Sequence, residues 1–145
     1  LYLPVITDPV YSYQAVNVAA QEKQPGSLLT TMKHLIATRK RSAAFGRGDI
    51  EFLRPRNQSV LAFLRRHADE TLLIVANLSA RTQPIELPLA AYEGAVPVEM
   101  LGGARFPAIG RAPYFLSLGP HSFYWFTLER RERRPARYGI EDTAI

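Results

Sequence analysis

Carboxylates are the side chains of this sequence best suited to proton chemistry. The 145 residues include 13 Asp and Glu. General acid–base catalysis needs two such groups facing each other across a cleft. Most of the acidic residues here fall at predicted turns or on the polar faces of predicted strands, where carboxylates are usually solvated. We therefore expect no catalytic residue within this chain.

The sequence also offers little for nucleophilic or metal chemistry. Cys is absent, which excludes a disulfide scaffold, a thiolate zinc site and a Cys nucleophile. The three histidines, His34, His67 and His121, show no ligand spacing, so we predict no metal site and no cofactor. Ser122 follows His121, but neighbours on a strand point to opposite faces, which disfavours a Ser–His pair. The Gly46-Arg47-Gly48 segment lacks the following Lys-Ser/Thr of a phosphate loop.

Aromatic side chains are the remaining candidates, because a flat ring can stack on a ligand. Tyr11 and Tyr13 lie in a predicted loop, and binding residues concentrate on loops. We take both as candidate substrate-binding residues. The run Phe123-Tyr124-Trp125-Phe126 lies instead on a predicted final strand, where core packing is the more common role.

Charge and hydropathy limit the partners. The formal net charge is +5, but no segment concentrates basic residues among aromatic ones, so we expect no nucleic-acid partner. No apolar run is long enough to cross a membrane, and we expect no membrane association. The chain begins without Met or the basic segment of a signal peptide. We therefore expect a cytoplasmic location and a chain cut from a larger protein.

One amphipathic helix is predicted near the N-terminus. Residues 1–24 read as a long irregular loop, with a short extended patch at Val16-Asn17-Val18. Pro25 or Ser27 then starts a helix that reaches residue 41. Its apolar stripe consists of Leu28, Leu29, Met32, Leu35 and Ile36. Such a stripe needs a partner, and we expect the remainder of a larger protein or a second copy of the chain.

The rest of the chain has a β pattern. Turn residues separate seven short apolar segments, predicted as strands at 49–54, 59–66, 71–78, 82–88, 96–101, 114–118 and 122–128. Many short strands with short connections favour a mainly β fold, an antiparallel β-sandwich. The continuous apolar run Leu72–Ala76 indicates a strand buried on both faces. Residues 129–145 read as a charged tail or linker.

Several of these segments resemble known sequences. The segments are Asp8-Pro9-Val10-Tyr11, Gln14-Ala15-Val16-Asn17-Val18, Pro25-Gly26-Ser27-Leu28-Leu29, Val96-Pro97-Val98-Glu99-Met100 and Gly119-Pro120-His121-Ser122-Phe123-Tyr124-Trp125-Phe126. Together they are similar to the end of the catalytic barrel and the C-terminal β-domain of glycoside hydrolase family 13, the α-amylase family. The resemblance covers about residues 1–128.

This resemblance implies a division of the chain. Residues 1–46 would be the terminal loop and last helix of a (β/α)8 barrel, and residues 47–128 an α-amylase-type C-terminal β-sandwich domain. Within the family, the segments are most similar to members that interconvert maltose and trehalose by retaining glucosyl transfer. The implied substrate of the parent enzyme is an α-glucoside. The implied catalytic carboxylates lie upstream, so this segment would be structural.

Three alternatives remain open from the sequence. The chain belongs to another α-glucosidase-type member of the family, or it is a free-standing carbohydrate-binding β-sandwich. The third alternative is an interaction module whose helix stripe docks on a partner chain.

Overall fold

The structure is a computed structural model that describes residues 3–130. Its α-helices are α1 (Val18–Glu22), α2 (Leu28–Arg41) and α3 (Ala43–Arg47), and a 3-10 helix spans Ala90–Tyr92. Its strands are β1 (Asp49–Leu53), β2 (Val60–His67), β3 (Glu70–Asn77), β4 (Gln83–Leu87), β5 (Ala95–Glu99), β6 (Tyr114–Leu118) and β7 (Phe123–Arg130). All seven predicted strands are therefore present, with ends that differ from the prediction by at most two residues.

The strands form two antiparallel sheets that face each other. The larger sheet has five strands in the order β1-β2-β3-β7-β5, and the smaller pairs β4 with β6. The predicted mainly β sandwich fold is confirmed. β3 occupies the centre of the larger sheet, and Leu72, Leu73, Ile74 and Val75 are all buried, as expected for a strand covered on both faces.

The main core lies between the two sheets. Leu73 and Val75 from β3 and Phe126 from β7 are fully buried there against Leu87 and Leu118 of the smaller sheet. Further core members are Leu53, Val60, Ala62, Leu64, Ile85, Leu89, Ala95, Ile109, Tyr114, Leu116 and Leu128. This core makes the sandwich the rigid part on which the other elements are mounted.

The last strand presents its aromatics to two different faces. Tyr124 and Phe126 pair with Val75 and Leu73 and turn toward the sandwich core. Their neighbours on the strand, Phe123 and Trp125, point to the opposite side of the larger sheet. Trp125 packs there in a second, smaller cluster around Ala44, Leu72 and Ile74.

The N-terminal region differs from its prediction in two places, at residues 16–18 and at α3, and agrees with it at the start of α2. The extended patch predicted at residues 16–18 is wrong, because Asn17 instead caps α1 by accepting a hydrogen bond from the Ala20 amide at 2.8 Å. α2 begins at Leu28, since Ser27 supplies the N-cap and accepts from the Thr30 amide. The short helix α3 was not predicted.

The predicted C-terminal tail, residues 129–145, differs from the structure at its start. Glu129 and Arg130 are the last residues of β7, and residues 131–145 lie outside the described residues.

Candidate functional site

The segment that carries the two candidate tyrosines is built from side-chain turns. The Asp8 carboxylate accepts hydrogen bonds from the Val10 and Tyr11 amides, at 2.8 and 3.1 Å. The Asn17 amide group donates to the carbonyls of Tyr13 and Gln14. Asp and Asn favour such turns because their short side chains reach nearby backbone groups. These bonds place both tyrosines on the surface, where Tyr11 is 72% and Tyr13 is 64% exposed.

The same segment is fastened to the start of α2. The Gln21 side chain accepts a hydrogen bond from the Leu29 amide at 3.0 Å, and the Ser27 hydroxyl donates to the Gln21 carbonyl at 2.7 Å. Glu22 also forms an ion pair with Lys33 at 3.0 Å. These contacts fix α1, which directly follows the turn bearing Tyr11 and Tyr13, to α2.

The stripe of α2 is only partly covered. Leu29 and Leu35 are half-buried, whereas Leu28, Met32 and Ile36 are 72%, 45% and 48% exposed. Leu35 contributes to an apolar cavity of about 490 Å³ that is also lined by Ile74, Phe123 and Trp125 of the larger sheet. The sandwich thus covers one edge of the stripe, and Leu28, Met32 and Ile36 keep much of their apolar surface in contact with solvent.

The side of the larger sheet that faces away from the core is also apolar. It displays Ile50 and Phe52 from β1, Leu61 from β2 and Phe123 from β7, each between 37% and 57% exposed. Phe52 packs against Phe63, with ring centroids 5.8 Å apart. We define the outer face as these sheet residues together with four residues of α2: Leu28, Met32, Leu35 and Ile36. Exposed apolar side chains in this number are typical of an interaction surface.

Helix α3 joins this helical region to the sandwich. The Ala44 amide donates to the Glu70 carboxylate at 3.0 Å, and the Ala44 carbonyl accepts from Arg65 Nε at 3.1 Å. Gly48 allows the chain to turn directly into β1, since a Cβ there would lie 2.6 Å from the Ala44 carbonyl oxygen. The joint is therefore held by polar contacts to two strands and not only by apolar packing.

Most of the described carboxylates are engaged in structural contacts. Four belong to ion pairs with Lys33, Arg66, Arg105 and Arg111. Glu99 accepts hydrogen bonds from the Leu101 and Gly102 amides and so shapes the turn after β5. Within residues 3–130, no group of three or more His, Asp and Glu side chains is placed to hold a metal ion.

Two pKa shifts occur in the sandwich, and neither marks a reactive group. Burial raises the pKa of Tyr114 above its ordinary value, and its hydroxyl donates to the Pro107 carbonyl at 2.8 Å. The pKa of Arg66 is raised mainly by its hydrogen bond to Tyr92 and also by the nearby Glu51 carboxylate. Among the described helices, none has the length and apolarity needed to cross a membrane.

The fold defines the class of this protein, a two-sheet antiparallel β-domain that short helices precede. The model of the family described as Maltogenic Amylase, C-terminal domain, matches residues 50–125, and the chain belongs to this family. The expected resemblance to glycoside hydrolase family 13 is confirmed. Sequence reasoning had named Tyr11, Tyr13 and the helix stripe, but it missed the sheet half of the outer face.

Comparison with individual proteins gives a narrower result than the family model does. Trehalose synthase of Pimelobacter sp. (strain R48) is 49% identical over 132 residues, which cover 88% of this chain and 23% of the relative. Trehalose synthase of Thermus thermophilus is 47% identical over 131 residues, 89% of this chain and 13% of the relative. The crystal structure of the trehalulose synthase MutB from Pseudomonas mesoacidophila MX-45 is similar with a TM-score of 0.63 and 27% identity, covering 84% of this chain and 21% of that one. The chain spans about a quarter or less of the length of such relatives.

Proposed function

We propose that this chain is the C-terminal segment of a trehalose synthase and that its role is structural. The observation that carries the proposal is the 49% identity to a trehalose synthase over 132 residues. We assign residues 1–46 to the terminal loop and last helix of the catalytic barrel. We assign residues 47–128 to the C-terminal β-sandwich domain, whose last strand continues to Arg130.

The parent enzyme interconverts maltose and trehalose by retaining glucosyl transfer within one site. One carboxylate attacks the anomeric carbon and forms a glucosyl–enzyme bond, while a second carboxyl group protonates the glucose that leaves. The glucose then returns its anomeric hydroxyl proton to that second group, and the hydroxyl oxygen displaces the first carboxylate from the anomeric carbon. Both reacting carboxylates belong to the barrel. The ion pairs and turn contacts that occupy Glu22, Glu51 and Glu99 support a chain that is non-catalytic alone. No cofactor enters this chemistry, and a cytoplasmic location suits it.

The outer face is the surface through which this segment joins the remainder of its enzyme. Removing an apolar side chain from water stabilises a contact by about 1.5–3 kcal/mol. Leu28, Met32, Ile36 and Phe52 all still have such surface to bury. Helix and sheet contribute side by side, which favours a broad partner such as the rest of the barrel over a single peptide.

Tyr11 and Tyr13 are the residues of this chain that we place toward the substrate. Active sites of such barrels lie on the face where the loops follow the strands. The turn that exposes both rings directly precedes α1 and α2, as a loop before the last barrel helix does. Their contact with the α-glucoside closes the site and takes no part in bond cleavage.

The proposal is tested by the reading frame upstream of these residues. We expect it to encode a barrel, and the intact product to convert maltose into trehalose. The purified 145-residue chain should convert none above a buffer control. An upstream frame without a barrel, or trehalose formation by the purified chain, contradicts the proposal. The first result would favour a free-standing carbohydrate-binding module. The second would favour a different catalytic arrangement.

A further inference from the structure

A second cavity lies on the opposite side of the sandwich from the outer face. It has a volume of about 560 Å³, within the range of about 300–1,000 Å³ that is common for ligand pockets. It opens between the segment 54–57, which follows β1, and the exposed side of the smaller sheet. Its walls include four prolines, Pro55, Pro84, Pro88 and Pro113. Because proline fixes the backbone, these walls are largely preformed.

Phe115 provides an apolar surface in this groove. Its ring is 62% exposed, although its strand neighbours Tyr114 and Leu116 are buried in the core. Phe115 lies opposite Glu86 in the pairing of β6 with β4, so both side chains share the exposed side of the smaller sheet. An exposed ring beside a groove can stack on the apolar face of a ligand.

Three charged side chains around Phe115 are available to a ligand. Arg54, Arg56 and Glu86 line the cavity and are exposed. In the described part of the chain, none of them takes part in an ion pair or side-chain hydrogen bond, whereas four other Lys or Arg side chains do form ion pairs. The guanidinium groups donate hydrogen bonds and the carboxylate accepts them. A ligand whose groups both donate and accept, such as a hydroxyl, can use all three side chains, whereas an anion can use only the two arginines.

The segment that carries both arginines is itself fixed to the smaller sheet. The Asn57 side-chain amide donates to the Gln83 side-chain oxygen at 2.8 Å and to the Pro84 carbonyl at 3.0 Å. Its oxygen accepts from the Ser59 amide at 3.0 Å. The two sides of the groove are thereby held at a set spacing, which lowers the ordering cost of binding.

We propose that this groove binds an uncharged oligosaccharide, with one sugar ring on Phe115 and hydroxyls held by Arg54, Arg56 and Glu86. The two sheets enclose the core, so the groove stays open to solvent when the outer face is covered. It is an accessory site, separate from the place where bonds are broken. The groove itself points to an oligosaccharide of any linkage. The choice of an α-1,4-glucan as the probe rests on the proposed function.

The test is a titration of the 145-residue chain with maltoheptaose, in which binding is measured by calorimetry and by the shifts of the amide NMR signals. We expect saturable binding with shifts centred on Phe115 and Glu86. Phe115→Ala should weaken it by about tenfold or more, and Phe115→Trp should preserve it. Phe52→Ala is the matched control, since Phe52 is 57% exposed but lies on the outer face. Glu86→Gln and Arg56→Gln should each weaken binding, and they keep the test valid if Phe115→Ala misfolds.

Several results would overturn the proposal. These are no saturable binding to the folded chain, equal binding by Phe115→Ala, or binding of inorganic phosphate through the arginines without binding of maltoheptaose. Equal binding of cellohexaose would support an oligosaccharide groove that does not distinguish the linkage. Trehalose formation by the intact enzyme is measured separately. A chain that binds no glucan therefore leaves the proposed function standing.

Discussion

The ring of Phe45 in α3 packs against the ring of Trp125 in β7, with centroids 4.9 Å apart and planes tilted by 59°. The contact joins the helical region to the larger sheet on the side away from the main core. It lies in the cluster formed by Ala44, Leu72 and Ile74, all of which are buried. The chain therefore has a second packed layer between α3 and the sheet.

Truncating Trp125 should destabilise the fold through this layer. Because the ring is partly buried, we expect Trp125→Ala to lower the free energy of unfolding by about 3 kcal/mol, the lower end for a large aromatic residue. Urea unfolding of the purified chain measures it. Phe123→Ala is the control, since Phe123 is 38% exposed on the same side and should lose less than half as much. An unchanged midpoint for Trp125→Ala would mean that the second layer does not contribute to stability.

Asn77 should be more important for stability than Asn57, although both begin an Asn-x-Ser turn. Asn77 is 3% exposed, and its amide group donates to the carbonyls of Arg81 and Gly119 at 2.7 and 2.8 Å. Asn77→Ala removes these bonds and also leaves the buried Leu118 carbonyl, 3.3 Å from the amide group, without this donor, at a cost of about 2–3 kcal/mol. Asn57→Ala should cost about 1 kcal/mol because water can reach its partners. Thermal unfolding compares the two, and equal losses would contradict the argument.

Two glycines just before β1, Gly46 and Gly48, should change the stability of the chain in opposite directions when each is replaced by alanine. At Gly48, a Cβ would approach the Ala44 and Arg66 carbonyl oxygens to 2.6 and 2.9 Å, so Gly48→Ala should destabilise the chain by about 2 kcal/mol or more. At Gly46, inside α3, a Cβ meets nothing within 4 Å. Gly46→Ala should stabilise by about 0.5–1 kcal/mol through its helix propensity. Chemical unfolding of both variants checks the pair, and the same sign for both would refute the geometry.

Tyr114 should contribute to the loss of stability in alkali. Its pKa is raised by burial, so the unfolded chain releases this proton at lower pH than the folded chain does. The contribution is complete below the ordinary pKa of 10.0 and is lost as the pH rises from there toward the folded value. Tyr114→Phe should unfold with a shallower pH dependence above pH 10 and lose about 1 kcal/mol at neutral pH with the Pro107 hydrogen bond. Unfolding curves between pH 8 and about 11.5 test it, and parallel profiles would exclude the role of Tyr114.

The exposed stripe of α2 should make the isolated chain self-associate. Leu28, Met32 and Ile36 are exposed, and contact between two chains would remove their apolar surface from water. We expect concentration-dependent dimers or larger species by size exclusion with light scattering. Met32→Glu combined with Ile36→Lys should shift the chain toward monomer, whereas Thr31→Glu on the polar side should not. A monomeric parent chain with strong amide-exchange protection in α2 would show that the sandwich alone stabilises this helix.

The strands were predictable because turn residues such as Pro, Gly, Asn and Asp lie between the short apolar segments. These residues favour turns through the backbone conformation at their own positions, so the sequence alone indicates where strands end. The continuous apolar run at Leu72–Ala76 also identified the central strand, since only a strand covered on both faces tolerates it. The beginning of α2 followed from Ser27 for the same local reason. The family resemblance likewise rests on short segments that the sequence carries directly.

The face that each aromatic of β7 occupies was decided only by the tertiary structure. Residues 123–126 are all aromatic, so alternation cannot distinguish Tyr124 and Phe126 from Phe123 and Trp125. The register with Leu73 and Val75 makes that choice. The groove likewise brings Arg54 and Arg56 beside Phe115, residues that are far apart in sequence. Such contacts depend on how two sheets stack around a shared core, and no local pattern in the sequence encodes that arrangement.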